Sequence, residues 1–102
     1  DKFIPMFVFG TLMSETTLAM LGVAPTEKQN ATLYGFRKSG LNILEEEGSV
    51  VNGHYFQINE NELKVLDRYE SLDSKYGYHR FLVNVKVGGE WKRVYAYQVK
   101  PT

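Results

Sequence analysis

One acidic side chain stands where an apolar one is expected. In NENELKVLDRYE, residues 59 to 70, Leu63, Val65, Leu66 and Tyr69 recur at helical spacing, Asn59 can cap, and Glu62 follows three residues later as in a capping box. Successive helical residues turn by about 100°, so with Leu63 at zero, Leu66 falls near 300° and Glu70 near 340°. Glu60, Lys64 and Arg68 group on the opposite side, which gives the helix a normal polar face that does not include Glu70. An ionised carboxylate costs several kcal/mol to bury unless it is paired or protonated. Burial and the negative end of the helix dipole would both raise its pKa, making Glu70 a group able to exchange protons near neutral pH. The alternative is structural: the last helical turn projects past the core, and Glu70 is solvated or paired with Arg80. Both readings stand on geometry alone. Asp67, one turn back on the flank of the same face, suggests a carboxylate pair as in glycosidases, but so small a chain offers little cleft for a sugar.

The second chemical candidate is a backbone. Phe9-Gly10-Thr11-Leu12 follows an apolar run and precedes a helix start, a setting in which free N–H groups can hold an anion or an oxyanion. A lone glycine there is more often simply a turn, and the phosphate-binding patterns GxxxxGK[ST] and GxGxxG are absent. The remaining candidates fall to ordinary roles. His54 and His79 lack metal-ligand spacing, Glu45-Glu46-Glu47 lacks the spaced oxygens of a calcium loop, and Ser14 and Ser39 sit in no nucleophile elbow. Tyr34, Tyr55 and Tyr95 read as packing aromatics of strands.

The elements that must position these groups follow from pattern. Pro5 to Phe9 reads as a buried strand ended by Gly10, and Ser14 caps a helix over Glu15 to Leu21 that stops at Gly22. Ala24 to Asn30 reads as a polar connection, Thr32 to Arg37 and Leu41 to Leu44 as short strands around Ser39-Gly40, and Glu45 to Gly48 as a solvated loop. Val50 to Ile58 is strand-like, with Asn52-Gly53 either a hairpin turn or the mark of a bulge inside one strand. Tyr78 to Val87 and Trp91 to Val99 are alternating runs joined by Gly88-Gly89, a two-residue hairpin whose register sets Arg80 opposite Tyr97. About six strands and two helices imply an α+β fold, a small, mixed, mostly antiparallel β-barrel occupying residues 1–102 as one domain.

Composition bounds the function. The 102 residues carry 12 Lys and Arg against 12 Asp and Glu, with 43% hydrophobic residues and a pI near 6.9. That balance argues against binding nucleic acid or anionic membranes through bulk charge. Without cysteine, disulfides, thiolate metal sites and cysteine nucleophiles are excluded, and a cytoplasmic location is expected. No apolar run approaches the roughly 20 residues of a membrane span.

Taken in order, FVFGTL, GHYFQI, LDRYES, YGYHRFLVNV and VYAYQV resemble the γ-glutamylcyclotransferase-like family, which includes γ-glutamylamine cyclotransferases and AIG2-like proteins, over nearly the whole chain. The resemblance implies a small mixed barrel with packed helices and an enzyme needing neither metal nor organic cofactor. It implies Glu70 as the catalytic acid and base, a substrate-binding loop at Phe9, Gly10, Thr11 and Leu12, and further substrate contacts at Tyr78, Arg80 and Tyr97. The reaction implied is release of 5-oxoproline from a small-molecule γ-glutamyl substrate. Two positions depart from the family pattern: Phe9 stands where Tyr is usual, and Ser71 where Gly often follows the glutamate. The alternative is a non-catalytic module that keeps the cavity and binds or regulates without turnover.

Overall fold

A computed structural model describes residues 2–40, 42–73 and 78–99. The order is β1 (Ile4–Val8), a 3₁₀ turn (Thr11–Met13), α1 (Glu15–Leu21), β2 (Thr26–Ser39), β3 (Asn42–Ile58), α2 (Glu60–Asp73), β4 (Tyr78–Val87) and β5 (Glu90–Val99). The five strands close into a ring in the order β1-β3-β2-β4-β5, antiparallel except for the parallel contact of β1 with β5 that seals it. This is the small mixed α+β barrel with two helices that the pattern predicts.

Alternation within each strand sorts the apolar residues into two cores. All five strands or their immediate ends supply the first, inside the ring: Phe7 and Phe9, Leu33, Ile43 and Val51, Val83 and Val85, Val94 and Ala96. The opposite faces supply the second, outside it, where Met6, Val8, Phe56, Ile58 and Tyr97 meet Leu12, Leu18 of α1 and Leu66 of α2. Leu66 is fully buried, a contribution of about 1.5–3 kcal/mol toward docking α2 on the ring.

Local signals set the helix ends. The Ser14 hydroxyl accepts from the Thr17 amide, and Gly22 closes α1 in the left-handed conformation at φ 76°. At α2 the capping box is reciprocal: the Glu62 amide donates to Asn59 Oδ1 at 2.8 Å, and the Asn59 amide to Glu62 Oε1 at 3.0 Å. The other Glu62 oxygen accepts from the Ala24 amide at 2.8 Å, pinning α2 to the end of α1.

Three expectations are corrected. The polar connection placed at Ala24 to Asn30 is strand from Thr26 onward, and the loop placed at Glu45 to Gly48 lies inside β3, where Glu45 pairs with Phe36 of β2 and the register shifts before Val50 pairs with Tyr34. There Glu45, Glu46 and Glu47 are all exposed, so charge replaces alternation, and Arg37 pairs with Glu46 at 3.3 Å. The run predicted over Leu41 to Leu44 therefore joins that of Val50 to Ile58 in one strand, leaving five strands rather than about six; Leu41 itself lies outside the described residues, as do Tyr76 and Gly77 of the YGYHR motif.

Asn52-Gly53 is neither a turn nor a bulge, since Thr32↔Asn52 and Ala31↔Gly53 continue the ladder without a shift. Gly53 sits mid-strand against β1, where a Cβ would strike the Val8 carbonyl oxygen and the Phe7 ring. Since a backbone oxygen cannot move aside cheaply, Gly53→Ala should cost about 1–3 kcal/mol or more. Urea unfolding reads this as a lower midpoint at unchanged slope; an unaltered midpoint contradicts the close approach.

Candidate active site

The positioning of the site begins at the Gly88-Gly89 turn. Both glycines have positive φ, 56° and 85°, as a two-residue primed turn requires. Val87 consequently pairs with Glu90, and the ladder runs back through Leu82↔Tyr95 to Arg80↔Tyr97, the register expected from sequence. Arg80, Tyr95 and Tyr97 face outward, toward α2, because the intervening Val83, Val94 and Ala96 fill the ring.

What meets them from α2 is Asp67. Arg80 Nη1 donates to Asp67 Oδ1 at 2.5 Å and also to Oδ2, while the Tyr97 hydroxyl donates to Oδ1 at 2.6 Å. Arg80 and Asp67 are each less than one third exposed, and Tyr97 is 5% exposed, so these charge-assisted bonds are partly shielded from water. The Tyr78 ring meets that of Tyr97 edge-on at 5.4 Å, and the Arg80 guanidinium lies 5.4 Å from the centre of the Tyr95 ring. Burial, then the Asp67 hydrogen bond, hold the Tyr97 phenol far above its usual range. Burial first, and Asp67 second, also raise Tyr78.

A second tie reaches the loop. Gly10 leaves β1 with φ −128° and ψ −131°, and the chain enters the 3₁₀ turn, in which the Met13 amide returns to the Gly10 carbonyl at 3.0 Å. The amides of Thr11 and Leu12 come too early in that turn to find a partner inside it. Thr11 Oγ1 lies 2.8 Å from the hydroxyl of Tyr69, two residues after Asp67 on α2. Leu12 is buried in the outer core with Leu66 and Tyr97.

The structure therefore brings Thr11, Leu12, Tyr78, Arg80 and Tyr97 around the last turns of α2, which also carry Glu70. Phe9 is different. Its ring sits inside the barrel, 7% exposed and 6.1 Å from the Phe7 ring, so its side chain belongs to the inner core and only its backbone can serve the loop. The partner of Arg80 is Asp67, not the Glu70 that the structural alternative proposed. Glu70 is half-buried and engaged in an interaction of its own. His79 bonds Gln98 at 2.8 Å on the surface, a strand role as expected.

Sequence reasoning missed two residues. In the sequence Asp67 reads as half of a carboxylate pair without a cleft to serve, and Tyr69 as part of an apolar face. The available signal for Asp67 was its own wheel angle, about 40°, on the flank that faces the β4–β5 hairpin.

Among the described residues no helix is long and apolar enough to cross a membrane. A family model described as γ-glutamyl cyclotransferase, AIG2-like, matches residues 6–102. Among curated proteins none matches the sequence. Solved structures resemble the fold closely. One titled γ-glutamyl cyclotransferase superposes with a TM-score of 0.80 at 18% identity, over 97% of this chain and 68% of that one. A solution structure from Arabidopsis thaliana gives 0.79 at 26% identity, over 97% and 70%. An AIG2-like protein from Mus musculus gives 0.71 at 22% identity, over 97% and 78%.

The Tyr97 phenol yields a pH prediction. Its folded pKa lies above the unfolded value of about 10, so its contribution to stability is full below pH 10 and is lost as pH rises above it. In an absorbance titration Tyr97 should ionise last, together with alkaline unfolding. Tyr97→Phe, which removes a hydrogen bond to a charged group, should cost about 1.5–3 kcal/mol at neutral pH and weaken the alkaline decline. Ionisation of every tyrosine near pH 10 in the folded protein contradicts the buried bond.

Proposed function

The chain belongs to the γ-glutamyl cyclotransferase, AIG2-like family, and from that premise we propose that it is an enzyme that releases 5-oxoproline from a γ-glutamyl amine or γ-glutamyl amino acid. The α-amine attacks the γ-carbonyl of the same molecule, a carbon–nitrogen bond closes the five-membered ring, and the bond to the departing amine breaks. The attacking ammonium loses two protons and the leaving nitrogen gains two, so charge is conserved and the protein's task is to relay protons. Ring closure supplies proximity without help. Glu70 is the relay, taking a proton from the attacking nitrogen and returning it to the leaving one. The Gly10, Thr11 and Leu12 amides hold the substrate carboxylate or the developing oxyanion.

The observation that carries this reading is the tie from Thr11 to Tyr69, which keeps the loop beside the helical turn ending in Glu70. Arg80 and Tyr97 direct their polar ends to Asp67. Their proposed part is to fix the helix and, with Tyr78, wall the site, so Arg80 acts through Asp67 more than on the substrate. The family's usual Tyr at position 9 is not needed in this scheme, since the Phe9 ring points into the barrel.

Glu70→Gln should fold normally, bind substrate, and lose about 100- to 10,000-fold in kcat, because Gln keeps the shape and removes the exchangeable proton. Asp67→Asn should instead lower stability, by about 1–3 kcal/mol, since it weakens the acceptor of two donors. The assay is 5-oxoproline release from a panel of γ-glutamyl amino acids, γ-glutamylamines and ε-(γ-glutamyl)lysine. Near-normal turnover by Glu70→Gln refutes the assignment.

A further inference from the structure

Resting on the cyclisation just proposed, we infer that Tyr69 is a positioning residue whose hydroxyl, bonded to that of Thr11, sets the roll of α2 and hence the distance between Glu70 and the loop amides. The two side chains are 58 positions apart in sequence and 2.8 Å apart in space, and neither lies in the barrel core. On the helical wheel Tyr69 stands near 240° and Asp67 near 40°, so the two ties grip opposite flanks of α2, about 160° apart. Leu66 and Glu70, near 300° and 340°, lie midway between them. Asp67 fastens one flank to the β4–β5 hairpin through Arg80 and Tyr97, and Tyr69 fastens the other to the 3₁₀ turn.

The consequence is geometric. With side chains, a helix has a radius of about 5–6 Å, so a 20° roll displaces a carboxylate at its rim by roughly 2 Å. A misplacement of about 1 Å is enough to cost up to 100-fold in rate. The apolar contacts of Leu63, Val65 and Leu66 resist such a roll only weakly, because apolar contact is non-directional, whereas hydrogen bonds on both flanks oppose it in each direction. Thr11 contributes its side chain to this tie and leaves its amide for the substrate.

The test is a double-mutant cycle on turnover with Tyr69→Phe, Thr11→Val and the pair together, using whichever γ-glutamyl compound of the panel the parent protein cyclises. Each single variant keeps the size of its side chain and loses only the hydroxyl. A neutral hydrogen bond of this kind is worth at most about tenfold, so each should lower kcat about three- to tenfold. The change in KM should be smaller, the acid limb of the pH–rate profile should not move, and the double variant should be no worse than either single one. A purely structural role would lower the melting temperature and leave kcat of the folded fraction intact, which overturns the inference. Losses that multiply also overturn it, as does a shifted acid limb, which would make Tyr69 itself the proton donor. A parent protein that cyclises nothing in the panel refutes the proposed reaction and this inference with it, a failure distinguished by appearing before any substitution is made.

Discussion

The carboxylate of Asp67 is the constraint on which the arrangement depends. It accepts from Arg80 and Tyr97, neighbours across the β4–β5 hairpin, and so joins the only long helix among the described residues to the barrel wall. The Asp67 and Arg80 side chains are both partly screened from solvent, so the bonds gain from being charge-assisted. Those bonds have direction, which the packing of Leu66 against the ring does not supply. Position along and around the α2 axis is therefore set by polar contacts placed over an apolar base.

The barrel itself serves as a mounting. Alternation sends Phe7, Phe9, Val94 and Ala96 inward, and Met6, Val8 and Tyr97 outward. The polar ties accordingly collect on the outer face, where α2, the 3₁₀ turn and the hairpin converge, and the ring interior is filled with side chains in the manner of small barrels. The same alternation accounts for Phe9. At the end of β1 its ring lies in the inner core, on the side of the strand away from α2.

Much of this was legible in the sequence because the signals were local. Ser14 with Gly22, Asn59 with Glu62, and Gly88-Gly89 each fix an element end through their own chemistry, and the hairpin register then follows by counting. The β2–β3 ribbon is hidden in the sequence because Glu45, Glu46 and Glu47 are all exposed and the register shifts beside them, so no two-residue period runs through the stretch. Gly53 was ambiguous because the approach of β1 is a tertiary fact. Asp67 was misread because its partners lie 13 and 30 residues away and only the folded register gathers them. The role proposed for Glu70 rests on resemblance and a wheel angle together, neither of which contains the ties on either side of it.

The central claim is that the loop amides and the last turn of α2 form one site for a glutamyl group. The direct measurement is a titration of isotope-labelled protein with 5-oxoproline, followed by amide chemical shifts. The account predicts saturable shifts at Thr11 and Leu12 together with Tyr69 and Glu70, with the strands remote from α2 unmoved. Shifts confined instead to the polar recess of about 480 Å³ lined by Asn30, Thr32, Asn52 and Lys86 would contradict it.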